Sequence, residues 1–211
     1  MKKNRREFLK LSSKFVLVSM AAFNFGCSLQ PLVQDKNKKV ALLYATRYGA
    51  TKDTAEWIAE GYDGEIDLLN IEEISFSQTA RKYDLFIIGS GVWIDGVHKD
   101  VLKFLETQKE ELRGKVLASF ILCGTTDKDK DGKKRIEQYF RKFHASLDEK
   151  PALNEKFGGR MIIDKLNEKD KKLLTMFYKK ILKREFVSWD RTEPEKARLF
   201  AKKINKQRVL I

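Results

Sequence analysis

From Lys39 onward the chain alternates unbroken apolar runs of strand length with stretches of helical periodicity, and that alternation restricts the available folds more than any other feature. KVALLYA (39–45) is apolar along its length, as a strand covered on both faces must be. KDTAEWIAEGY then sets Ala55, Ile58, Ala59 and Tyr62 on one side of a helix. EIDLLNI predicts a second strand, ISFSQTARKY a short helix, and YDLFIIGSGVW a third strand with a Gly-rich exit. HKDVLKFLETQKEEL predicts a helix burying Val101, Leu102, Leu105 and Leu112. GKVLASFILCGTTD gives a fourth strand and loop, KKRIEQYFRKFHASL a fourth helix, FGGRMII a fifth strand, and PEKARLFAKKINK a last helix. Buried strands joined through helices form a parallel sheet with crossovers on both sides. The expected architecture is therefore an open, doubly wound α/β fold with a five-stranded parallel sheet.

Composition removes other classes. With 211 residues, 42% of them hydrophobic and only 3 Pro, the chain can bury one sizeable core. Two Cys cannot frame a disulfide scaffold, and two Cys with two His show no zinc-type spacing, so no metal site is expected. The 43 bases outnumber the 30 acids, for a net charge of +13. They are spread without an Arg-rich block or zinc finger, which argues against nucleic acid as a partner.

Part of that charge belongs to an address. MKKNRREFLKLSSKFVLVSMAAFNFGC has a basic start and an apolar run from Phe15 to Phe25, about half the ~20 residues a permanent span needs. Residues 1–26 read as a signal peptide. Arg5, Arg6, Glu7, Phe8, Leu9 and Lys10 match the twin-arginine pattern R-R-x-F-L-K. The expected location is periplasmic or on the outer face of the cytoplasmic membrane. Cys27, after Gly26, is a candidate lipidation site; the alternatives are ordinary cleavage nearby or an uncleaved anchor. Residues 27–38 form a linker and 39–207 the domain. Six bases and one acid fall in 1–26, so the remainder keeps 37 bases against 29 acids.

In doubly wound sheets ligands sit beyond the carboxyl ends of the strands. The loop Thr46 to Thr51 offers two hydroxyls, a glycine permitting close backbone approach, and the free N–H groups of a starting helix. It lacks the GK[ST] of a nucleoside triphosphate loop and the GxGxxG of a dinucleotide loop. With Arg47 as its only cation, it suits one phosphate monoester.

TRYGAT after strand one resembles the FMN-phosphate loop of flavodoxins. Together with IIGSGVWIDGVHKDVLKFL, LCGTTD and FGGRMIIDKL, it makes the chain resemble the flavodoxin-like quinone-dependent protoporphyrinogen IX dehydrogenases, over about residues 39–205. The resemblance implies a flavodoxin-like sheet with FMN as cofactor. Thr46, Arg47, Tyr48, Gly49, Ala50 and Thr51 would then hold the phosphate. Ser90, Gly91, Val92, Trp93 and Gly96 would line one side of the isoalloxazine ring, with Trp93 able to stack, and Cys123, Gly124, Thr125 and Thr126 the other. Trp93 is alternatively a packing residue at the strand end, and Cys123 reads better as a buried apolar group than as a redox thiol. His98 aligns with a His of that subfamily and is a candidate substrate or flavin contact, or simply structural. His144, in a basic helix, is expected to be solvated. No catalytic acid or base is expected, because a protein tunes a flavin chiefly through hydrogen bonds and charges near its ring nitrogens.

After strand five comes an insertion, about 165–188. Leu166, Leu173, Leu174, Phe177 and Ile181 fall on a helical stripe, and from Lys165 to Arg184 eight bases face two acids. A basic amphipathic helix of this kind either lies on an anionic membrane or packs on the protein's own sheet or a second subunit. The expected function is FMN-dependent oxidation of a small substrate, with electrons passed to quinone. The alternative is an exported electron carrier between redox protein partners.

Overall fold

The computed structural model describes residues 38–94 and 96–208. The signal segment and Cys27 lie outside the described residues. In chain order the elements are β1 (Val40–Ala45), α1 (Ala50–Glu60), β2 (Ile66–Asn70), α2 (Phe76–Lys82), β3 (Leu85–Trp93), β4 (Gly96–Val97), α3 (Lys99–Thr107), α4 (Lys109–Leu112), β5 (Val116–Cys123), α5 (Lys130–His144), β6 (Leu153–Gly158), β7 (Arg160–Met161), α6 (Glu168–Met176), β8 (Trp189–Asp190) and α7 (Pro194–Arg208).

Every residue of β1 is buried, and alternate side chains enter different layers. Val40, Leu42 and Tyr44 pack with Ala55 and Ile58 of α1 and with Ala197, Phe200, Ala201 and Ile204 of α7. Ala41, Leu43 and Ala45 pack with Val101, Phe104 and Leu105 of α3 and Phe143 of α5. This two-sided demand is what made the strand read as an unbroken apolar run. The parallel strands lie in the order β2-β1-β3-β5-β6, and β4 folds back antiparallel onto β3. The expected doubly wound five-stranded parallel sheet is thus present. At its centre Gly89 pairs with Phe120. A Cβ there would stand 2.1 Å from the phenyl ring, so the ring fills the space a side chain would need.

Two of the expected elements need correction. The fifth strand is LNEKFG rather than FGGRMII: β6 ends at Gly158, whose N–H donates to Glu193 Oε2 at 2.6 Å. The chain then leaves the sheet, and Arg160 and Met161 pair antiparallel with Asp190 and Trp189 in a separate ribbon. The helix expected over 98–112 breaks at Gln108 into α3 and α4. Just before the break the Thr107 hydroxyl donates back to Lys103 O at 2.8 Å, the side-chain competition with backbone pairing that disfavours Thr inside helices.

The ribbon closes the base of the insertion. Between its two strands α6 passes into a π-helical turn, Phe177–Leu182. The single stripe expected there divides. Leu166 and Leu174 are buried, whereas Leu173 is 39% and Ile181 68% exposed. Among the described residues no helix is long and apolar enough to cross a membrane.

Candidate functional site

The strand register brings the three predicted loops to one edge. Ala45 pairs with Ser90, Gly91 with Leu122, and Cys123 with Gly158, so all three leave the sheet at its carboxyl end. In the first loop Gly49 adopts φ 87°, a left-handed conformation that favours glycine, and its N–H donates to Thr46 Oγ1 at 3.0 Å. Gly49 is the N-cap of α1, and no side chain caps that helix. The leading N–H groups of α1 therefore have neither an intrahelical nor a side-chain partner. Thr51 is buried, its hydroxyl 3.0 Å from where a Cβ on Gly91 would lie, so the first two loops touch.

The second loop is a tight hairpin, Val92 opposite Val97 and Trp93 opposite Gly96. Gly96 takes φ 112°. Ser90 faces inward: its hydroxyl donates to Gly91 O at 2.9 Å and accepts the His98 N–H at 3.0 Å, pinning the hairpin. Trp93 lies toward the first loop, with Tyr48 5.7 Å away between ring centroids and the Arg47 guanidinium 4.5 Å over its ring. Among the described residues its indole Nε1 is the one buried side-chain polar atom with no hydrogen-bond partner. In the third loop Cys123 is buried, its Sγ 3.6 Å from Thr125 O. Burial pushes the thiol's pKa up, with the Lys156 charge opposing. That is the setting of an inert thiol.

The insertion supplies the remaining walls, which the sequence did not reveal. Asp170, fully buried, accepts from Arg47 Nη2 at 2.6 Å and from the Tyr48 hydroxyl at 2.5 Å. Burial, and after it this bond to Asp170, raises the Tyr48 pKa. Asn167 caps α6 by accepting the Asp170 N–H at 2.8 Å. Arg160 pairs with Asp53 at 2.7 Å, and its Nη2 is 3.8 Å from where a Cβ on Gly49 would stand. Arg47 is therefore not the only cation at the phosphate loop. Trp189 packs within 3.0 Å of the Cβ position of Gly124 and donates from Nε1 to the Tyr178 hydroxyl at 2.8 Å. Met161, Leu166, Leu174, Tyr178, Phe186 and Trp189 form one apolar cluster with Tyr48 and Trp93.

Two histidines sit apart from this cluster. His98 caps α3, with Nδ1 accepting the Asp100 N–H at 3.4 Å, and its ring lies between Glu72 and Asp100. These three residues offer ligand atoms within 4.8 Å of one another. His144 is not solvated: it stacks on Phe140 and Phe143 and hydrogen-bonds Ser119 Oγ at 2.8 Å. Burial, assisted by the Lys150 charge, lowers its pKa to about 4. Two concavities among the described residues also lie outside this cluster. One of about 180 Å³ lies between Arg113, Val116 and Pro151, and one of about 400 Å³ lies beside Ile71, Phe76 and Asp100. The first is at the amino ends of the strands, the wrong edge for a ligand of such a sheet.

A family model described as a flavodoxin domain matches residues 41–188. No curated protein matches the chain. Among solved structures, a short-chain flavodoxin associated with a non-canonical PDU bacterial microcompartment is 14% identical, with a TM-score of 0.50, over 80% of this chain and 97% of its own. Oxidised flavodoxin 1 from Bacillus cereus is 20% identical, with a TM-score of 0.48, over 80% and 97%. A flavoprotein in complex with FMN from Lactobacillus acidophilus is 22% identical, with a TM-score of 0.41, over 56% and 93%. These structural likenesses concern the fold alone. With the family model matching most of the domain and the sheet order and loop placement in agreement, the chain belongs to the flavodoxin-domain family.

Proposed function

We propose that this protein binds FMN at the edge formed by Thr46–Thr51, Ser90–Gly96 and Cys123–Thr126, and works as a flavin oxidoreductase. The observation that carries the proposal is the unpartnered Trp93 Nε1, buried beside an uncapped helix start with a left-handed Gly49. A buried donor without an acceptor is costly, and a bound polar ring relieves that cost. The residues present suit the group: Thr46, Gly49, Thr51 and the first N–H groups of α1 hold a phosphate, with Arg160 beside them as counter-charge. Trp93 offers a stacking face and a donor, while Thr51 and Trp189 fill the space beside Gly91 and Gly124 and tie the loops together. When bound, FMN supplies the capacity to accept two electrons from a substrate and pass them on.

The insertion favours an enzyme over a bare carrier. It sets Tyr178, Phe186 and Trp189 next to Tyr48 and Trp93, an aromatic wall that excludes water and suits a flat, apolar substrate. Arg191, 5.0 Å over the Trp189 ring, adds a cation at its rim. The resemblance of TRYGAT and its companion motifs names protoporphyrinogen IX as donor and quinone as acceptor. Export by the twin-arginine route, supported by Arg5 to Lys10, carries the folded protein with its cofactor to the outer side of the cytoplasmic membrane.

The test begins with flavin titration of the purified chain. FMN should bind far more tightly than riboflavin, because the cradle recognises the phosphate; failure to bind added FMN removes the proposal. Anaerobic mixing with protoporphyrinogen and a menaquinone analogue should then give turnover, whereas FMN binding without turnover leaves a carrier. Changing Arg5 and Arg6 together to Lys should hold the protein in the cytoplasm, and unimpaired export refutes the route.

A further inference from the structure

Six large hydrophobic residues are exposed in the described part of the protein, and four of them, Leu173, Met176, Ile181 and Val187, fall within the insertion. They do not belong to the apolar cluster that fastens the insertion to Tyr48 and Trp93, which uses Leu166, Leu174, Tyr178 and Phe186 from its other side. The helix therefore has two apolar faces, one satisfied and one bare. The π turn contributes to this division. Its wider i→i+5 pairing accommodates one residue more per turn than an α-helix, so Ile181 returns to the side of Met176, five residues earlier, instead of drifting past it.

Around the bare face stand Lys169, Lys171, Lys172, Lys179, Lys180, Lys183 and Arg184. All but the half-buried Lys171 are exposed. Among the described residues none of the seven forms an ion pair. Of the neighbouring acids, Asp170 points inward to Arg47, and the exposed Glu168 and Glu185 at the two ends of the run form no ion pair among the described residues, which leaves seven outward bases against two acids. Bare aliphatic tips ringed by uncompensated lysines are what an interfacial helix presents to lipid: the tips enter the acyl boundary and the long lysine stems reach back to the headgroups. A second copy of the chain fits poorly, since two such faces would oppose like charge with like. Nucleic acid has no use for the aliphatic tips.

We infer that this outer face docks on an anionic phospholipid bilayer. Docking holds the flavodoxin sheet with the carboxyl edge of its strands near the lipid, because α6 lies between that surface and the Trp93 cluster and a helix is only about 10–12 Å across. A lipid-soluble electron acceptor is then close to the site. The inference stands whether or not flavin is bound.

The test uses the full chain and two kinds of vesicle, phosphatidylcholine alone and phosphatidylcholine with phosphatidylglycerol. Because the basic N-terminus can itself attract anionic vesicles, the decisive readout is local: a fluorophore on Ile181→Cys, in a chain carrying Cys27→Ser, should be quenched by lipids brominated in their acyl chains, and only when phosphatidylglycerol is present. Each lysine near an anionic surface strengthens binding roughly fivefold, so Lys179→Gln, Lys180→Gln and Lys183→Gln together should weaken that quenching about a hundredfold in lipid concentration. Met176→Asp should abolish it, while circular dichroism and FMN titration stay unchanged. A chain that floats with vesicles but leaves the fluorophore unquenched overturns the inference. So does quenching equal on both lipids, or concentration-dependent self-association through this face without lipid. Loss of FMN binding with quenching intact removes the flavin proposal and leaves this one standing.

Discussion

Arg47 and Asp170 meet at 2.6 Å, yet the two ends of the contact differ sharply: the Asp170 side chain is 1% exposed and that of Arg47 42%. Arg47→Ala leaves a carboxylate in the interior with only the Tyr48 hydroxyl and Asn167 Nδ2 donating to it. Stripping the counter-charge from a buried pair costs about 3–5 kcal/mol. Asp170→Ala leaves an arginine already half in water, which swings outward, and an exposed Asn167 amide that turns to solvent, so the loss is chiefly the Tyr48 bond to the carboxylate, about 1.5–3 kcal/mol. The double variant removes charge and counter-charge together and should be no less stable than Arg47→Ala, with a coupling of about 1–3 kcal/mol. Urea unfolding at neutral pH without added flavin measures all four corners of this cycle. Circular dichroism reports the sheet, and tryptophan fluorescence reports the loop, since the guanidinium lies 4.5 Å over Trp93. If Asp170→Ala costs as much as Arg47→Ala or more, the reasoning that the buried carboxylate is the expensive end is wrong.

His144 gives a pH signature. Its pKa in the fold is about 4 against an ordinary 6.5, so between those values the unfolded chain binds more protons and the fold loses stability as pH falls. His144→Gln should flatten that part of a plot of urea midpoint against pH, and an unchanged slope would refute the assignment. At Gly49, φ 87° is a conformation that costs a residue with a side chain about 1–2 kcal/mol. Gly49→Ala should lower thermal stability accordingly and weaken FMN binding more than riboflavin binding; a variant as stable as the parent contradicts the left-handed cradle.

The legible parts of the fold were those whose physics is local or two-sided. β1, β3 and β5 lie inside the sheet, so both faces demand apolar residues and the runs stand out. β6 is an edge strand, its Asn154, Glu155 and Lys156 only half-buried. With that weaker demand, the apolar signal pointed to the next run, Phe157 to Ile163, and displaced the strand. The phosphate loop was readable because Thr46, Gly49 and Thr51 act through their own backbone. Asp170 was not: within NEKDKK it looks like one more solvated charge, and only the docking of Arg47 and Tyr48 from 122 or 123 residues away gives it a role. Arg160 and Trp189 were hidden in the same way, since their partners Asp53 and Gly124 are distant in sequence. His144 misled because the surrounding lysines and arginines describe its helix's outer face, while its own ring turns toward Ser119.

The ribbon of Arg160–Met161 with Trp189–Asp190 makes the insertion, topologically, a long hairpin whose two ends already touch. Chain gained or lost at the exposed run Lys183–Glu185, clear of the Asp170 and Leu174 contacts, leaves the sheet undisturbed and changes mainly the closure entropy, about 0.6 kcal/mol for each doubling of length. The outer segment is thus free to vary in length and chemistry while β1, β3 and β5 keep their packing. Such a clasp turns one edge of the flavodoxin scaffold into an exchangeable part, able to acquire a new docking surface without renegotiating the core.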